Sequence, residues 1–184
     1  MKVLGIAGSL RAGSFNRLLL RAAQELAPPG VEITAFDLAA IPLYNGDVEA
    51  QGDPEPVAAF KAAIRQADAL LFVTPEYNFG VPGVLKNAVD WASRPPRGSV
   101  LQGKPAGIMG ATPGMGGTGR AQMQLRQAFV FTQTIAMLSP EVLVARAQEK
   151  FDASGRLTDE KTRQFVGQFL QALAEWTRRF KPEA

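Results

Sequence analysis

Three stretches of the chain combine glycine, hydroxyl groups and charge in ways that suit a ligand. The first is Gly8-Ser9-Leu10-Arg11-Ala12-Gly13-Ser14-Phe15-Asn16, between an apolar run, Val3 to Ala7, and a helix-patterned stretch that begins near Ser14. At a helix start, unpaired backbone N–H groups and the positive end of the helix dipole favour an anion. Ser9, Ser14 and Asn16 add side-chain donors, Arg11 adds charge, and Gly13 lets the backbone approach, so this loop suits a phosphate. It is not a Walker loop: Gly8 and Gly13 have the spacing, but Ser14-Phe15 stands where Lys-Ser/Thr is required. It is not a dinucleotide fingerprint either, because Gly5-Ile6-Ala7-Gly8 lacks the GxGxxG spacing. The plainer alternative, a capped helix start, needs neither the arginine nor the second hydroxyl.

The second stretch is Thr74-Pro75-Glu76-Tyr77-Asn78-Phe79-Gly80-Val81-Pro82-Gly83. Its prolines and glycines make a stiff loop with special backbone angles, able to present N–H and C=O groups to a flat polar ring edge. Tyr77 and Phe79 supply stacking contact on this reading; on the other they pack inward and the loop is a rigid connector. The third stretch, Ala111-Thr112-Pro113-Gly114-Met115-Gly116-Gly117-Thr118-Gly119, reads either as close backbone approach to a ligand or as a flexible turn. Charge-assisted hydrogen bonds contribute about 1.5–3 kcal/mol each. A few of them fall short of the ~12 kcal/mol of nanomolar binding. A phosphate that carries a large aromatic ring gains the remainder from burial along the other two loops, and FMN fits that description.

Two absences narrow the chemistry. The chain has no cysteine, which removes disulfides, zinc-thiolate sites and thiol nucleophiles, and no histidine, which removes a Ser-His-Asp triad, histidine-ligated metals and the usual general base. Any enzyme chemistry is therefore expected to come from a cofactor, with no metal site. The net charge of +3 is spread through the sequence without a like-charged run, so no nucleic-acid partner is expected. No apolar run is long enough to span a bilayer and no signal-peptide pattern opens the chain, so a cytoplasmic protein without membrane association is expected.

The elements that must position these loops alternate between strand and helix. Val3–Ala7, Val31–Phe36, Ala69–Val73, Ala106–Gly110 and Val142–Ala145 read as strands. Helix faces are marked by Phe15, Leu18, Leu19, Ala22 and Leu26; by Val57, Phe60, Ile64 and Ala67; and by Val84, Leu85, Ala88, Val89 and Ala92. A long helix is expected over 121–138. The last helix has a stripe of Phe165, Phe169, Leu173, Trp176 and Phe180 behind an N-cap at Thr158, and residues 44–56 read as a loop. With 184 residues the chain fits a single domain, 1–184. The fold class is α/β: a three-layer, flavodoxin-like arrangement with a five-stranded parallel sheet in the order 2-1-3-4-5 and helices on both faces. In that order the loops after strands one, three and four meet at the switch point.

These residues resemble the NADPH-dependent FMN reductases, a family that includes chromate/quinone reductases and azoreductase relatives. Gly8 to Asn16 looks like the family's phosphate loop and Thr74 to Gly83 its isoalloxazine loop. Leu85-Lys86-Asn87-Ala88-Val89-Asp90-Trp91 and Ile41-Pro42-Leu43-Tyr44 continue the likeness. The resemblance implies bound FMN, NADPH or NADH as co-substrate, and a homodimer or homotetramer with flavin near the subunit interface. It implies that Ser9, Arg11, Ser14, Phe15 and Asn16 hold the phosphate and that Pro75, Glu76, Tyr77, Asn78 and Gly80 line the ring, with Thr112, Pro113 and Gly114 nearby; the stacking contact read from the loop itself adds Phe79. Hydride from NAD(P)H would reach flavin N5, with no catalytic side chain. Electrons would pass on to quinones, free flavin, azo compounds or chromate. Backbone N–H groups of the stiff loop suit stabilisation of anionic reduced flavin. Arg94 and Arg97 either meet an NADPH phosphate or are solvated. Two rivals stand beside this reading: a flavodoxin-like electron carrier, although such carriers are usually acidic, and a flavin reductase that supplies FMNH2 to a partner monooxygenase.

Overall fold

The most continuous apolar runs form the centre of the molecule, a computed structural model that describes residues 1–180. Strand β1 (Lys2–Ala7) lies between β2 (Glu32–Phe36) and β3 (Ala69–Val73), and β4 (Pro105–Ala111) follows β3, all parallel. Every residue of β3 and β4 is buried, because helices cover both faces. The period-two alternation of the strands divides the core. Val3, Leu71 and Val73 face α1 (Phe15–Glu25) and α6 (Glu160–Arg178). Leu4, Ile6, Leu70 and Phe72 face α3 (Glu55–Gln66), α4 (Gly83–Ala92) and α5 (Gly119–Thr132). Helix α6 seats close on β4 because Gly107 has no side chain: a Cβ there would lie 2.8 Å from Phe169 Cζ and 3.2 Å from Leu173 Cδ2.

The strand order is 2-1-3-4-5, as expected, with one addition. The fifth position is shared by two short strands. β5 (Ile135–Ala136) pairs with the start of β4, and β6 (Val142–Val144) with its end, Met109 opposite Val142. Pro140, which has no N–H to give to a ladder, lies in the gap between them. The expected helix over 121–138 ends earlier, because Gln133 turns left-handed (φ 55°) and its N–H returns to Phe129 O. Residues 46–49 of the expected loop form a short helix, α2 (Gly46–Glu49), capped by the Asn45 side chain.

Helix α6 is capped by Asp159 rather than by Thr158. A carboxylate suits the helix N-terminus better than a hydroxyl does. Hydrogen bonds from the Thr162 hydroxyl and from Lys150, together with the Thr162 N–H, hold the Asp159 carboxyl well below its ordinary value, at about 2. The buried stripe of α6 is Val166, Phe169, Leu170, Leu173, Ala174 and Thr177, while Phe165 and Phe180 are exposed and Trp176 is half-buried. Phe165 and Trp176 lie at one edge of that stripe, and Phe180 lies beyond the end of the helix at Arg178.

Three hydrogen bonds extend the ladder beyond the strand ends: Gly8 N–H to Val73 O, Thr74 N–H to Met109 O and Thr112 N–H to Val144 O, each 2.9 Å. They start the loops after β1, β3 and β4 at one level of the same sheet edge.

Candidate functional site

The first loop ends where Ser14 caps α1, its Oγ accepting the Asn16 N–H at 3.2 Å while its own N–H bonds to Arg11 O at 3.0 Å. Ser9 and Ser14 are buried, and Arg11 is exposed with no ion-pair partner among the described residues. The backbone N–H groups of Ala12, Gly13 and Phe15 likewise donate to no group among those residues. Phe15 packs its ring 5.7 Å from Phe151. Asn16, 2% exposed, does something different: its Nδ2 donates to Ala111 O at 2.8 Å and its Oδ1 accepts the Ala111 N–H at 2.9 Å. This two-way clip fastens the start of α1 to the end of β4.

The second loop begins with buried Thr74, whose hydroxyl donates to Pro75 O, and closes in a miniature hairpin. Tyr77 and Gly80 exchange backbone hydrogen bonds at 3.1 and 2.9 Å across Asn78 (φ 51°) and Phe79 (φ 63°). Such a turn favours glycine at its second central position; a phenylalanine there costs roughly 1–2 kcal/mol. Helix α5 holds this turn in place. The Val81 N–H donates to Gln124 Oε1 at 2.6 Å, the Arg120 guanidinium lies 4.2 Å from the Phe79 ring centre, and Glu76 accepts the backbone N–H groups of Arg120 and Ala121. A side chain at Gly80 would have to displace the Gln124 amide, since a Cβ there would meet Gln124 Oε1 at 2.6 Å. The Tyr77 hydroxyl reaches back to Ser9 Oγ at 3.2 Å and joins the first two loops. In the third loop Thr112 Oγ1 accepts the Gly114 N–H, and Gly114 O accepts from Arg146.

Two adjoining hollows result. One, of about 360 Å³, is lined by Ser9, Arg11, Ser14, Phe15, Asn16, Pro75, Glu76, Tyr77, Thr112 and Pro113, together with Ala111. The other, of about 450 Å³, shares Glu76 and Thr112 and adds Asn78, Phe79, Gly114 and Arg120. The structure thus brings together every expected site residue except Gly80, which lines neither hollow and sits behind the turn. A hollow of about 470 Å³ beside β6 and the start of α6 contains none of them. Arg94 and Arg97 line neither of the two adjoining hollows; Arg94 lies over the Tyr44 ring, 5.3 Å from its centre. The Ile41–Tyr44 segment is pinned to α4 by Asn87 and Trp91, which both donate to Pro42 O at 2.8 Å.

Sequence reasoning missed Arg120 and Gln124. Gln124 carries no local signal. Arg120 does: a cation in the first turn of a helix opposes the dipole, and α5 has no acidic residue there to balance it. Glu76 supplies a compensating anion from the neighbouring loop.

The chemistry of the donors fits FMN. The first hollow offers a free guanidinium and uncommitted backbone N–H groups at a helix start, and its single carboxylate, Glu76, is engaged by α5. That end suits a phosphate. The adjoining hollow, walled by Phe79 and glycine backbone, is in the size range of small-molecule sites.

The profile of the NADPH-dependent FMN reductases matches residues 1–149. The chain is 54% identical to an NAD(P)H-dependent FMN reductase of Pseudomonas aeruginosa, with 98% of this chain and 97% of that one covered. It is 42% identical to a 2-hydroxy-1,4-benzoquinone reductase of a Burkholderia species, with 97% of each covered. Among solved structures it is similar to FerB, a flavoenzyme NAD(P)H:(acceptor) oxidoreductase of Paracoccus denitrificans. The TM-score is 0.89 and the identity 37%, over 97% of this chain and 98% of that one.

The Asn16 clip predicts a stability effect. Asn16→Leu leaves the Ala111 N–H buried and unpaired, and urea unfolding of the ligand-free protein should show a loss of about 1–3 kcal/mol. An unchanged midpoint would mean that the clip contributes nothing.

Proposed function

Because the chain belongs to the family of NADPH-dependent FMN reductases, NAD(P)H-dependent flavin oxidoreductases, we propose that the two adjoining hollows form its FMN site within one domain spanning 1–184. The phosphate is assigned to Ser9, Arg11, Ser14, Phe15 and Asn16. The side-chain contribution of Asn16 is reduced to whatever its clip to Ala111 leaves free. The ring is assigned to Pro75, Glu76, Tyr77, Asn78 and Phe79, with Gly80 holding the turn from behind and Thr112, Pro113 and Gly114 on the facing side. The observation that carries this reading is the free guanidinium of Arg11 beside open backbone N–H groups at the start of α1.

Bound FMN supplies the redox chemistry, hydride uptake from NAD(P)H and electron delivery to an acceptor. The protein's part is to bind and orient. Arg11 and the α1 N-terminus fix the charged end; the hairpin at Tyr77–Gly80 and the glycine backbone of the third loop fix the plane of the ring. Neither role requires a proton-transfer residue, in agreement with a chain without histidine. Quinones are the acceptor class supported by the names of the relatives. A cytoplasmic location fits the need for NAD(P)H, and among the described residues no helix is long and apolar enough to cross a membrane.

A second copy of the chain completes the reading. Helix α5 buries Leu125 and Phe129 yet exposes Met123 (63%), Val130 (81%) and Phe131 (69%) on its other side. A helix that is apolar on both sides calls for a partner. The same helix holds the ring-lining turn, so a homodimer or homotetramer formed through α5 places the subunit boundary next to the flavin.

Two measurements test these assignments. Arg11→Ala should weaken FMN binding about tenfold to a hundredfold, the value of a charge-assisted contact, with the thermal midpoint of the ligand-free protein unchanged. Full flavin affinity in that variant would remove the phosphate assignment. By light scattering the parent should have a mass of twice or four times 19.7 kDa, and Phe131→Glu should lower it. A monomeric parent would contradict the α5 interface.

A further inference from the structure

Glu76 sits in the ring-lining loop, yet its carboxylate is turned away from open space. Its side chain is 9% exposed and accepts the Arg120 N–H at 2.9 Å, the Ala121 N–H at 3.1 Å and the Arg120 guanidinium at 3.3 Å. The two backbone donors belong to the first turn of α5, where N–H groups have no partner within the helix. Helix α5 provides no cap of its own. Thr118 precedes it without a side-chain capping bond, and the first turn contains no acid. Glu76 fills that vacancy from 44 residues away in sequence.

We infer that Glu76 is a positioning residue, an internal anion that caps α5 and so locks the loop after β3 to the glycine-rich loop after β4. This rests on the assignment of FMN to the crevice between those loops. Capping sets the width of the crevice at the point where the two hollows meet, since Glu76 lines both. Gln124 and the Arg120–Phe79 stack hold the far side of the same turn to the same helix, so the loop is clamped at both ends. The cap also decides where a phosphate can go. The N-terminus of α5 is occupied by the chain's own carboxylate, and the N-terminus of α1 remains open.

Amide exchange in the ligand-free protein, resolved residue by residue, tests the cap without the cofactor. The Arg120 and Ala121 amides should be protected in the parent and exchange at least about tenfold faster in Glu76→Ala, which removes a charge-assisted acceptor. Glu76→Gln, which keeps an acceptor oxygen, should be intermediate. FMN titration should then show weaker binding in Glu76→Ala, partly restored by acetate but not by chloride at equal ionic strength. Parent-like exchange in both variants overturns the cap while leaving the FMN site, which is tested at Arg11, intact. Weakened FMN binding that acetate does not restore overturns the positioning role in favour of direct contact. If Glu76→Ala does not fold, Glu76→Gln decides, and parent-like exchange there overturns the inference.

Discussion

The crevice depends on one constraint: three loops must leave a parallel sheet at the same level and stay there. The strand order, with β1 beside β3 and β3 beside β4, puts the loops on one edge, and the hydrogen bonds at Gly8, Thr74 and Thr112 set their height. Asn16 turns this shared level into a fixed distance. Its amide copies a strand partner for Ala111, pairing with both the N–H and the C=O of one residue, so the first helix and the fourth strand cannot separate without exposing two buried polar groups. The phosphate site proposed at α1 is thereby held in register with the loops proposed to receive the rest of the ligand.

Charge is distributed within this frame in a way that separates structural from functional groups. Glu76 is the carboxylate shared by both hollows, and α5 engages it through two backbone amides and a guanidinium. Arg11 has no such partner among the described residues. The end proposed for the phosphate therefore has an unneutralised guanidinium, while Glu76, the acid of the neighbouring loop, is already engaged. The family likeness agrees with this division: the chain belongs to the NADPH-dependent FMN reductases, and its close relatives are named as reductases of flavin and quinones, not as electron carriers.

Most of the fold and most of the lining of the candidate crevice could be read from the sequence because both rest on local patterns. The apolar runs of β1, β3 and β4 admit little but a doubly covered sheet. The glycines, prolines and hydroxyls after them mark loops whose place follows from the strand order. The misreadings occur where a partner distant in sequence decides. Helix α5 stops at Gln133, which enters the left-handed region without glycine's freedom, so no stop signal appears. The fifth strand divides around Pro140 because each half pairs with a different end of β4. Asp159 displaces Thr158 as a cap through its bonds to Lys150 and Thr162. Asn16 and Glu76 line the crevice as expected residues, and what adjacency in sequence does not reveal is that their hydrogen bonds run to Ala111 and to α5.

The central claim is that the charged end of the ligand is gripped at the start of α1, separately from the ring. Comparing the affinities of FMN and riboflavin for the ligand-free protein tests it most directly, since the two differ only in the phosphate. The account predicts that FMN binds at least about a hundredfold more tightly, from two or more charge-assisted contacts, and that salt narrows the difference. Equal affinities would contradict it.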